Sequence, residues 1–391
     1  MSELYELPDG WEWRKLPDIV QIGCKKGFSP TITEGKVPFI GMSNIDEQGG
    51  RNTEFEFEDF AKVSKGKVKF QKDAILVGKI TPCTQNNKVT IVPKDINGGY
   101  ATTEVYALHA LEHLLPLYLN YFIRSNSINE YLVSTMIGAT GRQRVPSEAI
   151  KNLDIPLPPL PEQQRIVSKL DLLFEKIDKS IALHQKNMDE ANAFMGSVLN
   201  DVFGELEDKY EKKPLNKIVD NYDGKRIPIK STDRENINGQ YPYYGASGII
   251  DYVNDYIFEG EYLLISEDGA NLTVRKYPIA FIANGKFWVN NHAHIVKAKE
   301  NISTNKFMEY AFACTDISGY ITGSAQPKMS QGKMNLIEFA LPPLQIQQKV
   351  VTYLDEISQK TEKIKQLQKE KMDSLKALKA SILDSAFRGE L

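Results

Sequence analysis

The 391-residue chain has only three cysteines, Cys24, Cys83 and Cys314, far apart and with no Cys-x-x-Cys pair. That excludes a disulfide framework and the cysteine-rich zinc modules, and it points to free thiols in a reducing compartment, the cytoplasm. No apolar run reaches the roughly 18 residues that cross a bilayer. The opening MSELYELPDGWEWRKL lacks the basic-then-apolar order of a secretion signal, so no membrane partner is expected. Charge of one sign is not in excess either, because 48 Lys and Arg stand against 51 Asp and Glu, a net of −3. A polyanionic partner has to be met by local basic patches and not by the field of the whole molecule.

Catalytic signatures are also missing. There is no phosphate-binding Walker loop and no Gly-rich dinucleotide fingerprint. The Asn/Asp-Pro-Pro-aromatic tetrapeptide of adenine methyltransferases is absent; LPPL has neither its first residue nor its aromatic. Pro17-Asp18 followed by Glu34-Gly35-Lys36 loosely resembles a nuclease metal site, and we read it as surface loop. His109 and His113 have a His-x-x-x-His spacing around Glu112, but no third ligand is evident, and they read as a solvated helix end. No catalytic residue, metal site or bound cofactor is expected.

What is present is an internal repeat. LPPLPEQQRIV (157–167) returns as LPPLQIQQKVV (341–351), 184 residues later. The offset holds without insertion over 142–203, which predicts a rigid element, since loops change length and packed helices do not. Pro161 suits a first helical position and Leu160 before it disfavours helix, so the start is sharp. In the first copy Val167, Leu170, Phe174, Ile177, Ile181, His184, Met188, Ala191, Met195 and Val198 follow a 3-4 spacing, a coiled-coil seam. The second copy offers Val350, Leu354, Ile357, Ile364, Leu375, Leu378 and Ile382, with Thr361, Gln368 and Lys371 as interruptions. Each helix of roughly 43 residues is about 65 Å long, and each needs a partner. The natural partner is the other copy.

The segments between the helices correspond more loosely. VPFIGMSNI (37–45) resembles YPYYGASGI (241–249), AILVGK (74–79) sits where YLLISE (262–267) does, and YATTEVYAL (100–108) where WVNNHAHIV (288–296) does. These runs between Gly, Asn and Asp clusters read as strands and turns. The order is globular, helix, globular, helix: a spacer repeated faithfully and two heads that diverged.

Basic and amide side chains are the candidate contacts to nucleic acid. AKVSKGKVKFQK (61–72) has five lysines and no acid; if extended, Lys65, Lys67 and Lys69 share one face. That is either a lysine-guarded edge strand or a phosphate-contacting face. Arg142, Gln143 and Arg144 precede the first repeat helix, with Gln326 and Lys328 in the matching place. Arg and Gln can make bidentate contacts to guanine and adenine edges, though the same segment could dock the globular part on the helices. Lys225, Arg226, Lys230 and Arg234 form a second basic loop. His292 and His294 alternate on a strand-like run, where a satisfied structural histidine competes with a DNA contact. Lys25, Lys26, Ser43, Asn44, Lys79, Ser247, Asn271, Arg275 and Asn291 complete the candidates by charge or polarity and position.

The double IPLPPLxEQQxIV-and-long-helix pattern, with the closing AFRGEL (386–391), resembles the specificity subunit of type I restriction–modification systems over the whole chain. YPYYGASGIIDYV (241–253) and WVNNHAHIV (288–296) resemble a common type of that family's second recognition domain, while Gln345 and Ile346 replace Pro161 and Glu162 in the second copy. The resemblance implies an α+β protein with two target-recognition domains, 1–153 and 207–337. Two long-helix segments, 154–206 and 338–391, would pair as an antiparallel coiled coil about a pseudo-two-fold axis. It implies binding of double-stranded DNA at a bipartite target. It also implies two modification subunits that carry S-adenosylmethionine and methylate adenine, and restriction subunits that use ATP and Mg. Rival readings are the recognition subunit of a related type II (IIB/IIG-like) system, an enzyme with an unrecognised site, and a coiled-coil scaffold without DNA binding.

Overall fold

The computed structural model describes residues 5–45, 54–234, 237, 239–323 and 325–391. The first four residues of the N-terminal stretch read above lie outside them. Twenty strands occur among the described residues. The first ten are β1 (Glu12–Lys15), β2 (Val20–Ile22), β3 (Lys36–Ile40), β4 (Glu56–Asp59), β5 (Val68–Gln71), β6 (Ile75–Gly78), β7 (Val89–Ile91), β8 (Gly98–Ala101), β9 (Val105–Ala110) and β10 (Asp154–Leu157). The next ten are β11 (Lys212–Pro214), β12 (Val219–Asn221), β13 (Tyr241–Gly245), β14 (Gly248–Val253), β15 (Phe258–Glu259), β16 (Tyr262–Ser266), β17 (Ala280–Ala283), β18 (Lys286–Val289), β19 (Ala293–Ala298) and β20 (Glu338–Ala340).

The two sets are paired alike. Sheet orders β2-β9-β6-β7 and β4-β3-β8-β5 in the first set recur as β12-β19-β16-β17 and β14-β13-β18-β15 in the second. The one parallel pairing in each set also recurs, β3 with β8 and β13 with β18. β1 closes on β10 as β11 closes on β20. All four residues of β6, Ile75 to Gly78, are buried, as a continuous apolar run predicts for a strand covered on both faces.

Two long helices complete the chain, Leu160–Lys209 of 50 residues and Leu344–Arg388 of 45 residues. The first starts later and ends later than the expected 154–206 segment, because 154–157 is β10 and the helix runs on past Phe203 and Leu206, which are buried in a hydrophobic core. The chain forms two compact units, 1–184 with 370–391, and 185–369. Within the first unit, Leu170, Phe174 and Ile177 from the start of the first helix share a core with Leu375, Ile382 and Leu383 from the end of the second. There Lys379 Nζ also pairs with Asp178 at 2.7 Å. Within the second unit, Met195, Val198 and Val202 pack with Val350 and Leu354. Start meets end in both, so the helices run antiparallel.

The first-copy seam agrees with burial along its length: Val167, Leu170, Phe174, Ile177 and Ala191 are buried, and Ile181, His184, Met188, Met195 and Val198 half-buried. The second-copy seam needs correction. Ile364 is 46% exposed and Leu378 49%, whereas Thr361, expected to interrupt the seam, is 7% exposed. The true line keeps the 184-residue offset, so Val351, Leu354, Thr361, Lys365, Gln368, Met372, Leu375 and Ile382 stand at the first copy's positions and are buried or half-buried. Selecting apolar residues, Ile364 among them, displaced the reading from the packed line; the register set by the globular roots outweighs local hydrophobicity. Val350 and Ile357 remain half-buried beside that line.

The repeated QQ pair (163–164 and 347–348) has a physical explanation that its residues alone did not reveal. Gln163 is 0% exposed; its Nε2 donates to the His113 and Pro158 carbonyls, and its Oε1 accepts from Leu115 N–H at 2.8 Å. Gln347, also 0% exposed, donates to the Ile302 and Pro342 carbonyls, and its Oε1 accepts from the Ser303 hydroxyl at 2.9 Å. One turn or two further on, Tyr121 donates to Asp171 and Tyr310 to Asp355. Each helix is thereby rooted in its own globular part by the same two polar fasteners.

Candidate nucleic-acid interface

The sequence candidates gather most clearly at one place in each unit, the exit of the third strand of the first-listed sheet. In the first unit Lys79 follows β6. Its N–H donates to Glu104 O at 3.0 Å and its carbonyl accepts from Val145 N–H at 2.8 Å. Ile137 and Arg144 exchange both backbone hydrogen bonds, at 3.0 and 2.9 Å, closing a hairpin that carries exposed Arg142. In the second unit Glu267 follows β16. Its N–H donates to His292 O at 2.9 Å and its carbonyl accepts from Met329 N–H at 2.8 Å. Thr322 and Lys328 exchange both bonds at 2.8 Å, closing a hairpin that carries exposed Gln326.

Both hairpins require glycine just past the stem. Gly138 has φ +125° and a Cβ there would lie 2.8 Å from Arg142 O; Gly323 has φ +83° and a Cβ would lie 2.6 Å from Gln326 O. The backbone frames are therefore equivalent, but their side chains differ at two corners. Lys79 corresponds to Glu267, and Glu104 to His292.

In the first frame Arg144 pairs with Glu104 at 3.0 Å, and the Lys79 ammonium sits 4.9 Å from the Tyr106 ring centre. Burial pulls the Lys79 pKa down, Arg144 adds to this, and Glu104 opposes it. The second frame is a denser charge cluster. Glu267 pairs with Arg226 at 2.7 Å and with Lys328 at 3.2 Å, and His292 with Asp268 at 2.9 Å. Burial pushes the Glu267 carboxyl up, but Arg226, His294 and Lys328 together hold it below the usual range. The same balance of burial against His294, the Ile295 N–H and Arg226 lowers Asp223. His294, 1% exposed, has Asp223 Oδ2 at 2.6 Å from Nδ1 and Met329 O at 2.8 Å from Nε2. A carbonyl only accepts, so Nε2 donates to Met329 O, while Nδ1 faces the Asp223 carboxylate.

The structure sorts the remaining candidates. Lys25, Lys26, Ser43, Lys65, Lys230, Ser247 and Asn291 are exposed. Asn44 caps Gly41 N–H at 3.0 Å, and Gln143 exchanges bonds with Thr81. Asn271 closes its loop on Tyr277, and Arg275 donates to the Ala313 and Thr315 carbonyls at the end of the Asn305–Cys314 helix. Lys225 lies over Tyr222. Arg226 turns inward, its side chain 16% exposed.

Three expectations are corrected. Lys65, Lys67 and Lys69 do not share a strand face: β5 begins at Val68, Lys67 rests over Phe39, and Lys69 donates to Phe28 O at 3.0 Å. β5 is an edge strand, as the plainer reading had it. His109 is not at a helix end but buried in β9, where Nε2 accepts from Gln71 N–H. The hairpins are tied to the sheet through Lys79 and Glu267, which answers how these segments are docked. Among the described residues no group of three His, Cys, Asp or Glu could hold a metal, and no helix is long and apolar enough to cross a membrane. Tyr106, Asp223 and Glu267 were missed as frame residues. They differ from their counterparts in chemistry, so the repeat gave no signal there.

Comparison with known proteins then places this architecture. Residues 8–191 and 207–371 match the model of the type I restriction modification DNA specificity domain, one match for each half of the repeat. The chain belongs to that family of type I restriction–modification specificity subunits. It is 32% identical over 213 residues to the EcoAI specificity subunit of Escherichia coli, a match covering 54% of this chain and 35% of that one, so it spans about a third of that relative's length. It is 24% identical to the Escherichia coli EcoprrI specificity subunit over 95% of this chain and 94% of that one. A chain solved in work on complex assembly and conformational transition of the type I R-M system shares the fold, with TM-score 0.79, 21% identity, and coverage of 99% and 100%.

Proposed function

We propose that the chain reads a bipartite double-stranded DNA target, one half with each globular part, and directs partner subunits to it. The observation that carries this reading is the pair of equivalent hairpins presenting different chemistry, Arg142 in one and Gln326 in the other. A guanidinium matches the O6 and N7 acceptors of guanine; a carboxamide matches the N6 donor and N7 acceptor of adenine. One backbone frame holding two such side chains suits two different half-sites. Exposed Lys25, Lys26, Lys65 and Lys230 are suited to phosphates, which position the protein without specifying sequence.

The antiparallel helices act as spacer between the readings and as the docking rail for two modification subunits. Those subunits hold S-adenosylmethionine and methylate adenine; restriction subunits supply ATP- and Mg-dependent translocation and cleavage. The chain itself performs no chemistry and binds no cofactor. The test is to replace residues 207–337 with the matching segment of another family member, co-express the partner genes, and sequence methylated sites. One half of the target should change while the other half stays. A target changed in both halves, or in neither, would sink the proposal.

A further inference from the structure

Each hairpin is held at one further point, by a side chain from the strand beside it. The Tyr106 hydroxyl, from β9, donates to Val145 O at 2.8 Å. His294 Nε2, from β19, lies 2.8 Å from Met329 O. Tyr106 and His294 are equivalent in their strands, lying one residue into each: Val105 and Ala293 open β9 and β19. Val145 and Met329 are equivalent too, each the first residue beyond the hairpin stem and each bonded through its N–H to the carbonyl of Lys79 or Glu267. A phenol and an imidazole differ in shape and basicity, but both can donate a hydrogen bond at the end of a flat ring. That function survives at this position while Lys79 has given way to Glu267 and Glu104 to His292.

We infer that Tyr106 and His294 are positioning residues for DNA specificity, each setting the angle of its own hairpin and hence of Arg142 or Gln326. The inference rests on the proposed DNA reading. A side chain that reads a base edge must be placed within a few tenths of an ångström, and such precision comes from hydrogen bonds behind it. Loss of one latch leaves the hairpin stem closed but lets it rock, so the contact to a base edge weakens while phosphate contacts elsewhere persist. The two latches differ in rigidity. Tyr106 is half-buried and makes a neutral bond. His294 is fully buried and fixed from behind by Asp223, with Arg226, Glu267 and Lys328 around it.

The experiment selects DNA from a fully randomised duplex library with the full chain and its co-expressed methylating partners, and reads base preference at each position. Tyr106→Phe removes one oxygen and leaves the ring, so folding is retained. It should lower preference about three- to tenfold at one or two adjacent positions of one half-site, the worth of a single lost hydrogen bond. The other half-site and the salt dependence of binding should be unchanged. Arg142→Ala should weaken the same positions. His294→Phe should act on the other half-site; if it unfolds the second unit, Tyr106→Phe carries the test alone. Full preference at every position in Tyr106→Phe, with Arg142→Ala impaired, overturns the latch and leaves the DNA reading standing. Impairment spread over both half-sites also overturns it, since that is the mark of general destabilisation. If the wild-type chain selects no sequence at all, the DNA reading fails first and the latch with it.

Discussion

The two units have the same ladder of strands and nearly opposite chemistry at the hairpin frame. In the first, Lys79, Glu104 and Arg144 form a loose group with Arg144 and Glu104 partly in solvent, their side chains 55% and 30% exposed. In the second, Glu267 lies between Arg226 and Lys328 with its side chain 12% exposed, beside buried His294 and Asp223. The backbone hydrogen bonds that define the frame are the same in both. Main-chain pairing holds the hairpin wherever it must be; the side chains around it are left to vary. The proposed reading of two different half-sites from one architecture would need that separation.

The largest break in the comparison should come from exchanging the corner charges. Glu267→Lys sets a third cation beside Arg226 and Lys328 and removes the carboxylate that pairs with both, the Arg226 side of the site being largely closed to solvent. Breaking a buried pair in this way should cost about 3–5 kcal/mol, read as a loss of urea stability in the second unit. The mirror change, Lys79→Glu, falls at a half-buried place between Arg144 and Glu104, whose side chains reach solvent, and should cost less, about 1 kcal/mol. Equal losses from the two variants would show that the frames do not differ in burial as described.

Acid should separate the units in the same direction. Asp223 and Glu267 have lowered folded-state pKa values. Groups of that kind contribute stability that is fully present above the unfolded value of about 4 and is lost as pH falls through the lower folded value. The second unit should therefore lose amide-exchange protection below about pH 4. Glu267→Gln should flatten that loss. An acid profile unaltered by Glu267→Gln would remove this carboxylate from the account.

The helix roots should behave alike where the frames do not. Gln163→Ala and Gln347→Ala each leave buried carbonyls and a donor without their partner, at about 2–3 kcal/mol. Each should raise amide exchange chiefly in its own unit, in the Pro116–Arg124 helix for Gln163 and the Asn305–Cys314 helix for Gln347. A cost in only one of the two would mean that the repeated glutamine is not a shared fastener. The smallest effect should be a gain. Thr361 occupies the place in the second helix that Ile177 has in the first, and it is buried. Thr361→Ile should stabilise by about 1 kcal/mol, raising the melting temperature; destabilisation would mean that the hydroxyl makes a needed contact.

Much of the architecture was legible in one dimension. An ungapped repeat with coiled-coil spacing is a local, periodic signal, and it gave the long helices and their first seam; their antiparallel sense came from the family resemblance. The loose correspondences at 37–45, 74–79 and 100–108 named true counterparts, β3 with β13, β6 with β16, and the pairs β8–β9 with β18–β19. Less was legible in the second seam, where Ile364 attracted the reading and Thr361 is the buried residue.

By itself, then, the sequence determined the duplication, the two long helices, several of the strands and the family, because periodicity and repeated spacing are properties of neighbours along the chain. Only the tertiary structure decided which candidates stand outward and which are consumed. Arg226 and Arg275 look like surface contacts until the folded chain shows them satisfying a carboxylate and carbonyls tens of residues away. Tyr106 and His294 look unrelated until two sheets bring each beside the equivalent carbonyl of its own hairpin, Val145 O and Met329 O. A hydrogen bond between distant segments is fixed by where the backbone carries its partner, and no pattern of near neighbours encodes that.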